Sequence, residues 1–115
     1  MNIDFTDSHG VTIAKPLDRR LDASGGADFK TRIGGRLDAG TRFLVLDLAE
    51  VEFVDSTGLS AILSVLKRVP PDGGLALAGC QKQVVELVKL TRLDRILRLF
   101  PTADEAVQAL AVVSA

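Results

Sequence analysis

Hydrophobic residues near the N-terminus alternate with polar ones, and a polar turn divides the alternation into two parts. Ile3 and Phe5 come before residues 7–10, whose sequence is DSHG, and Val11 and Ile13 come after them. A period of two residues is typical of β-strands, and a polar segment with glycine is typical of the turn between strands. The chain is therefore predicted to open with a β-hairpin.

After Asp22 the spacing of apolar residues lengthens toward that of a helix. The residues that approximate its apolar face are Ala27, Phe29, Ile33 and Leu37. The glycine pairs at 25–26 and 34–35 weaken this prediction, because a glycine inside a helix costs about 1 kcal/mol relative to alanine. A first helix is nevertheless expected in this region.

Residues 42–48, with the sequence RFLVLDL, form a continuous apolar run that is typical of a central strand buried on both faces. The following segment has apolar residues at i, i+3, i+4 and i+7, which predicts an amphipathic helix of about three turns. These residues are Leu59, Ile62, Leu63 and Leu66. Pro70 and Pro71 forbid its continuation.

The last third of the chain repeats this alternation of strand and helix. Residues 75–79 (LALAG) predict a strand, the apolar residues from Val84 to Val88 predict a helix that ends near Leu90 or Thr91, and Ile96–Phe100 predicts a short strand. Thr102 with two following acidic residues predicts the start of a closing helix. Its apolar positions are Ala106, Val107 and Leu110.

These elements predict one α/β domain over residues 1–115, with a mixed, mostly parallel sheet of about four to five strands backed by about four helices. Sites in such sheets form where strands end, and residues 54–58 (VDSTG) lie near one such end.

Composition narrows the classes of function. The net charge of -1 lacks the basic surplus that nucleic-acid binding requires. No apolar run approaches the ~20 residues of a membrane-spanning helix, and the N-terminus lacks the build of a signal peptide, so no membrane insertion and a cytoplasmic location are expected. Cys80 is the only cysteine, and it is interpreted as a small buried hydrophobe.

The polar residues Asp55, Ser56 and Thr57 have two interpretations. All three side chains accept hydrogen bonds from the free N–H groups of a first helical turn, and a cap of this kind contributes about 1 kcal/mol. Gly58 is interpreted as a residue that lets the backbone turn. Alternatively, a hydroxyl at a helix N-terminus is a place where a phosphate is electrostatically favourable and would not break the fold.

The segment LVLDLAEVEFVDSTGLSAIL resembles the STAS domains, the anti-sigma-factor antagonists of bacterial partner-switching pathways. The resemblance continues through residues 73–110. It implies that unphosphorylated protein binds an anti-sigma factor, which is a serine kinase of the GHKL type, and so frees the sigma factor. It also implies that phosphorylation of Ser56 releases the antagonist, and that a serine phosphatase reverses the modification.

The same resemblance implies that the partner contacts residues around Ser56. The implied partner-binding residues are Asp22, Asp55, Thr57, Gly58 and Leu59. Asp22 has a second interpretation, as the N-cap of the first helix. Arg19 stands where the family has a glycine, so the resemblance does not predict the geometry of the turn before Leu21 and Asp22.

Two other classes of function are weighed against this one. An enzyme is not expected, because the only histidine, His9, lies in the predicted hairpin turn and no catalytic serine motif surrounds Ser56. No metal-ligand spacing is present and no cofactor is expected, so any nucleotide should belong to the partner. A STAS domain that acts as a fixed subunit of a transport complex, such as a lipid-transport complex, or as a non-switching scaffold, is the remaining alternative.

The arginines near residue 95 also have two interpretations. Arg92, Arg95 and Arg98 are either solvated positions around a helix end and an edge strand, or a surface that meets an acidic patch on a partner.

Overall fold

A computed structural model describes the backbone of residues 1–114 and the side chains of residues 1–111. The strands are β1 (Ile3–Ser8), β2 (Val11–Pro16), β3 (Arg20–Leu21), β4 (Phe43–Asp47), β5 (Phe53–Val54), β6 (Gly74–Ala78) and β7 (Arg98–Phe100). The helices are α1 (Gly26–Asp38), α2 (Ser56–Arg68), α3 (Lys82–Leu90) and α4 (Ala103–Ser114), and a short 3-10 turn covers Leu93–Arg95.

Five of the strands form one mixed sheet in the order β1-β2-β4-β6-β7. β1 is antiparallel to β2, and the other three neighbouring pairs are parallel. The predicted α/β class, the mostly parallel sheet and the opening hairpin are confirmed. His9 and Gly10 have φ angles of 53° and 78°, which suits the two-residue turn that joins β1 to β2.

The central strand β4 is buried on both faces, as predicted. Leu44 and Leu46 pack into one hydrophobic cluster with residues of α1, α2 and α3. Phe43 and Val45 point the other way and pack against α4. The sheet therefore separates two hydrophobic clusters, with three helices on one face and one on the other.

Helix α1 continues through the glycine pair that weakened its prediction. Gly34 is buried, and a methyl group there would overlap the guanidinium of Arg68, which extends from the end of α2. Arg68 donates to the Gly34 carbonyl at 3.4 Å and to the Asp38 carboxylate at 2.5 Å. The absence of a side chain at Gly34 therefore leaves room for the Arg68 side chain to reach from α2 over α1.

Two predicted boundaries are corrected, and two strands are added that the sequence did not predict. Helix α1 begins at Gly26, four residues after Asp22, because residues 22–25 form a turn in which the Asp22 carbonyl accepts from the N–H groups of Gly25 and Gly26. The last strand begins at Arg98, because Ile96 closes the 3-10 turn by donating to Leu93 at 3.0 Å. The strands β3 and β5 were not predicted, and they form a separate two-stranded parallel ladder.

Over the described part of the chain, no helix is both long and apolar enough to span a bilayer.

Candidate functional site

The segment between β5 and α2 is a helix cap built by Asp55. Its backbone is extended, with φ -98° and ψ -172°, and the Gly58 N–H donates to its Oδ1 at 2.9 Å. The Leu59 N–H donates to the Asp55 carbonyl at 2.9 Å. The interpretation that all three polar residues are caps is corrected in this respect: Asp55 is the cap, and Ser56 is the first helical residue.

Ser56 and Thr57 are exposed on the first turn of α2. Within residues 1–111, the Ser56 hydroxyl has no hydrogen-bond partner in the protein. The Thr57 methyl group lies against Gly26 at the start of α1, where an added Cβ would meet it at 3.5 Å. The Ser56 hydroxyl is thus on the surface and takes no part in the hydrogen bonds of the helix cap.

Gly58 is buried inside α2, and its role differs from the turn that the sequence suggested. A Cβ at this position would overlap the carbonyl oxygen of Leu21 in β3. Glycine is therefore needed for the close approach of helix and strand rather than for a left-handed backbone. The neighbouring Leu59 is half-buried and packs against the cluster on the three-helix face.

The short ladder of β3 and β5 brings Asp22 to the same edge as Asp55. Arg20 pairs with Phe53 and Leu21 pairs with Val54, so Asp22 and Asp55 each follow directly after a paired residue. The Asp55 N–H donates to the Leu21 carbonyl at 3.4 Å, which extends the ladder by one contact. The structure therefore places the two carboxylates at one end of this ladder, beside the start of α2.

The Asp22 side chain stabilises its own loop, and it is not the N-cap of α1. Its Oδ1 accepts from the Ser24 hydroxyl at 2.7 Å and from the Ser24 N–H at 3.1 Å, while Arg20 Nε donates to Oδ2 at 3.0 Å. The N-cap of α1 is Gly25, which has no side chain to offer. The Ser24 hydroxyl, followed by Arg20 and the Ser24 N–H, holds the pKa of Asp22 below its usual value.

Arg19 fits its position without strain. Its backbone is not in the left-handed region, where the non-glycine residues among those described are His9 and Arg92. Its carbonyl accepts from the N–H groups of Glu52 at 2.7 Å and Phe53 at 3.1 Å, and its side chain is exposed. The ladder before Asp22 therefore forms with an arginine at this position.

Sequence reasoning missed the pair formed by Arg20 and Phe53. The Arg20 guanidinium lies 4.2 Å from the centre of the Phe53 ring, which is a cation–π contact, and Phe53 is 41% exposed. Both line an open cleft of about 650 Å³ between the ladder and Leu87 of α3. The signal that could have found Phe53 is its place between Glu52 and the buried Val54, because neighbours in a strand face opposite sides.

The other reactive side chains lie away from Ser56 or are shielded. His9 lies two residues before the first residue of β2, at the end of the sheet where the parallel strands begin, and its Nδ1 lies 2.9 Å from the Ser8 hydroxyl. Burial raises the pKa of the Cys80 thiol to about 11, and the charge of Asp47 acts in the same direction. No cluster of three or more metal-ligating side chains occurs among the described residues.

Comparison with known proteins identifies the family. Residues 2–106 match the family model of the STAS domain. The chain belongs to the STAS domain family. The family resemblance drawn from the residues around Asp55 and Ser56 is thereby confirmed.

The STAS relatives include proteins described as anti-sigma factor antagonists. A candidate anti-sigma factor antagonist of Thermotoga maritima is 36% identical over 73 residues, which are 63% of this chain and 65% of that protein, slightly less than two thirds of its length. The crystal structure of such a candidate from the same organism superposes with a TM-score of 0.86 at 28% identity, over 94% of this chain and 93% of the other. An anti-sigma factor antagonist from Mycobacterium paratuberculosis gives a TM-score of 0.87 at 25% identity, over 95% and 92% of the two chains.

Proposed function

We propose that this STAS domain is an anti-sigma factor antagonist that is switched by phosphorylation of Ser56. In its unphosphorylated form it binds a GHKL-type serine kinase that acts as an anti-sigma factor, and this binding frees the sigma factor. Phosphorylation releases the antagonist, and a serine phosphatase restores it. The exchange takes place in the cytoplasm, and the antagonists among its relatives support the general role.

The observation that carries the proposal is the exposed hydroxyl of Ser56 at the first position of α2, which has no hydrogen-bond partner among the described residues. The free N–H groups and dipole of the first turn favour an added anion there. Because Asp55 rather than Ser56 caps the helix, modification of Ser56 would leave the hydrogen bond to Gly58 intact. A phosphate would therefore change the surface without unfolding the helix.

The electrostatic change would be large at this place. A phosphoserine carries about -1.5 to -2 charges at neutral pH. The carboxylates of Asp22 and Asp55 lie at the same end of the β3–β5 ladder. Asp22 is paired with Arg20, whereas Asp55 is not in an ion pair among the described residues, so the new charge would add chiefly to that of Asp55. A partner surface that accommodates the neutral hydroxyl would then face a concentrated negative patch, and this repulsion would weaken binding.

The remaining predicted residues have distinct parts in this proposal. Thr57 and the exposed side of Leu59 form the docking surface beside Ser56, Gly58 allows α2 to lie against β3, and Asp22 and Asp55 flank the acceptor. Catalysis belongs to the partner, because the Asp55 carboxylate already accepts from Gly58 and His9 lies at the other end of the sheet. The chain itself then needs no cofactor.

The experiment is incubation with the cognate kinase and ATP, followed by phosphosite mapping and a binding assay. We expect phosphate on Ser56, loss of kinase binding after modification, constitutive binding by Ser56→Ala, and binding weakened at least about tenfold by Ser56→Asp. Ser60→Ala is the matched control, because Ser60 is an exposed serine one turn further along α2.

Two results would contradict the switch. Phosphate found only at sites other than Ser56 would show that Ser56 is not the acceptor. Kinase binding that Ser56→Asp does not weaken would show that the charge at this position does not cause release. Stable binding to a transport or scaffold subunit with no turnover of phosphate would favour the fixed-subunit alternative instead.

A further inference from the structure

The end of the molecule opposite Ser56 carries an apolar groove. Helix α2 has 13 residues, so its last turn lies about 20 Å from Ser56. Near that last turn, where β4 and β6 begin, a groove of about 320 Å³ opens between α2, α4 and the start of β7. We call it the lower groove, and its lining includes Leu66, Val69, Pro70, Ile96, Arg98 and Leu110.

An exposed apolar side chain stands at the rim of the lower groove. Ile96, which follows the 3-10 turn, is 56% exposed. Leu90, at the end of α3, is 82% exposed and comes from the same stretch of chain. Two large aliphatic residues left in water within seven positions are typical of a surface that another molecule covers.

The same stretch carries an excess of positive charge that no ion pair among the described residues neutralises. Residues 89–98, which we call the basic segment, contain Lys89, Arg92, Arg95 and Arg98 against a single acid, Asp94, for a net charge of +3 in a chain whose total is -1. Among the described side chains, none of these four cations forms an ion pair. Six basic side chains in residues 1–68 do form ion pairs.

From these observations we infer a second interaction surface: the lower groove and the basic segment bind an acidic segment of a partner protein that carries an apolar anchor side chain. The anchor enters the groove beside Ile96, and the acidic residues pair with Arg95 and Arg98. Arginine suits this role, because its planar guanidinium binds carboxylates in a bidentate manner and keeps its charge at any physiological pH.

The shape of the site favours a peptide over an anionic membrane. A concave groove receives a single side chain, whereas a flat lipid surface would contact only the rim. Asp94 also lies within the basic segment. Its charge would be repelled by a continuous layer of lipid phosphates, whereas single carboxylates of a peptide can pair with the arginines on either side of it.

The test uses a fluorescein-labelled peptide with the repeating sequence Glu-Glu-Leu and the whole protein, followed by fluorescence anisotropy at low and high salt. We expect saturable binding that weakens with salt. Arg98→Glu and Arg95→Glu should each weaken it at least about tenfold, and Ile96→Ser by several-fold. A peptide in which lysine replaces glutamate should not bind.

Lys82→Glu is the matched control. Lys82 is also exposed and without an ion pair among the described residues, but it begins α3 at the opposite end of that helix. It should leave the affinity unchanged, as should Ser56→Asp, whose site lies at the far end of α2. This independence from Ser56 keeps the result separate from the proposed phosphorylation switch.

Several outcomes would overturn the inference. An equal loss of affinity with Lys82→Glu and Arg98→Glu would show that peptide binding depends on the net charge of the protein and not on the groove. Binding to phosphatidylglycerol vesicles without binding to the peptide would assign the surface to membranes. Absence of peptide binding would also reject it. Circular dichroism of each variant separates loss of contact from loss of fold, and Arg95→Glu and Ile96→Ser change exposed side chains only.

Discussion

Gly58 lies where helix α2 comes closest to the backbone of β3. Its missing side chain lets the Leu21 carbonyl approach the helix, and the Asp55 N–H donates to that same carbonyl. The position of the candidate phosphoacceptor therefore depends on a contact between residues that are 37 positions apart in the chain. No local pattern in the sequence indicates such a contact.

Gly58→Ala is expected to destabilise the protein by about 1–3 kcal/mol, because its methyl group would overlap a backbone atom that cannot rotate away. Gly35→Ala is the matched control, since Gly35 is an exposed helical glycine with open space around it, and it should stabilise the protein by about 0.5–1 kcal/mol. Urea denaturation of the two variants measures both effects. Equal effects of the same sign would contradict the close approach.

At the scale of elements, the start of α2 depends on the Asp55 cap. Asp55→Ala should lower the free energy of unfolding by about 1 kcal/mol, because the Gly58 N–H would lose its acceptor. Asp55→Asn keeps an acceptor oxygen and should retain most of the stability. The measurement is chemical denaturation of each variant.

Asp104→Ala provides the comparison for this cap. Asp104 is an exposed acid in the first turn of α4, where Thr102 supplies the side-chain oxygen to the Glu105 N–H at 3.2 Å. Its loss should change the free energy of unfolding by about 0.5 kcal/mol or less. An Asp55→Ala variant as stable as Asp104→Ala would show that the cap does not hold the helix.

The longer elements could be predicted from the sequence because each buries one or two complete faces. The alternation in β1 and β2, the apolar run of β4 and the helical period of α2 all express burial against the sheet. The strands β3 and β5 have two residues each, which is too short to show a period. Their pairing depends on distant backbone contacts, such as those from Glu52 and Phe53 to the Arg19 carbonyl.

The candidate site divides in the same way. Its polar residues from Asp55 to Thr57 are visible as a local motif between a strand and a helix. The position of Asp22 beside them and the contact of Arg20 with Phe53 both follow from the β3–β5 ladder. The family resemblance could indicate the position of Asp22, but the spacing of residues in the sequence could indicate neither feature. The role of Gly58 was misread for the same reason, because it depends on β3.

At the scale of the whole molecule, the lone cysteine reports on the integrity of the fold. The Cys80 thiol has a pKa of about 11 in the folded protein against 9.0 for the unperturbed group, because burial disfavours the thiolate. The folded state thus holds its proton more tightly than the unfolded state. The contribution of Cys80 to stability should be constant below about pH 9 and should fall by about 2–3 kcal/mol as the pH rises to about 11 and beyond.

Cys80→Ala isolates this contribution, because the other groups that titrate at high pH are present in both proteins. The difference in unfolding free energy between them should be flat up to about pH 9 and then decline for the wild type relative to the variant. Iodoacetamide should also react slowly with the native thiol near pH 8 and rapidly in urea. A difference that stays constant to pH 11, or fast native alkylation, would contradict the raised pKa.

The strand order also separates the sheet into parts that form on different timescales. β1 and β2 are joined by a two-residue turn, so they can pair within about 1–10 µs. The parallel pairs β2–β4, β4–β6 and β6–β7 are each connected through at least one helix, and chain entropy must be lost before they form. β4 pairs with β2, which precedes it, and with β6, which follows it, so the nascent chain must leave one edge of its most apolar strand unpaired until β6 arrives. In that interval aggregation competes with folding.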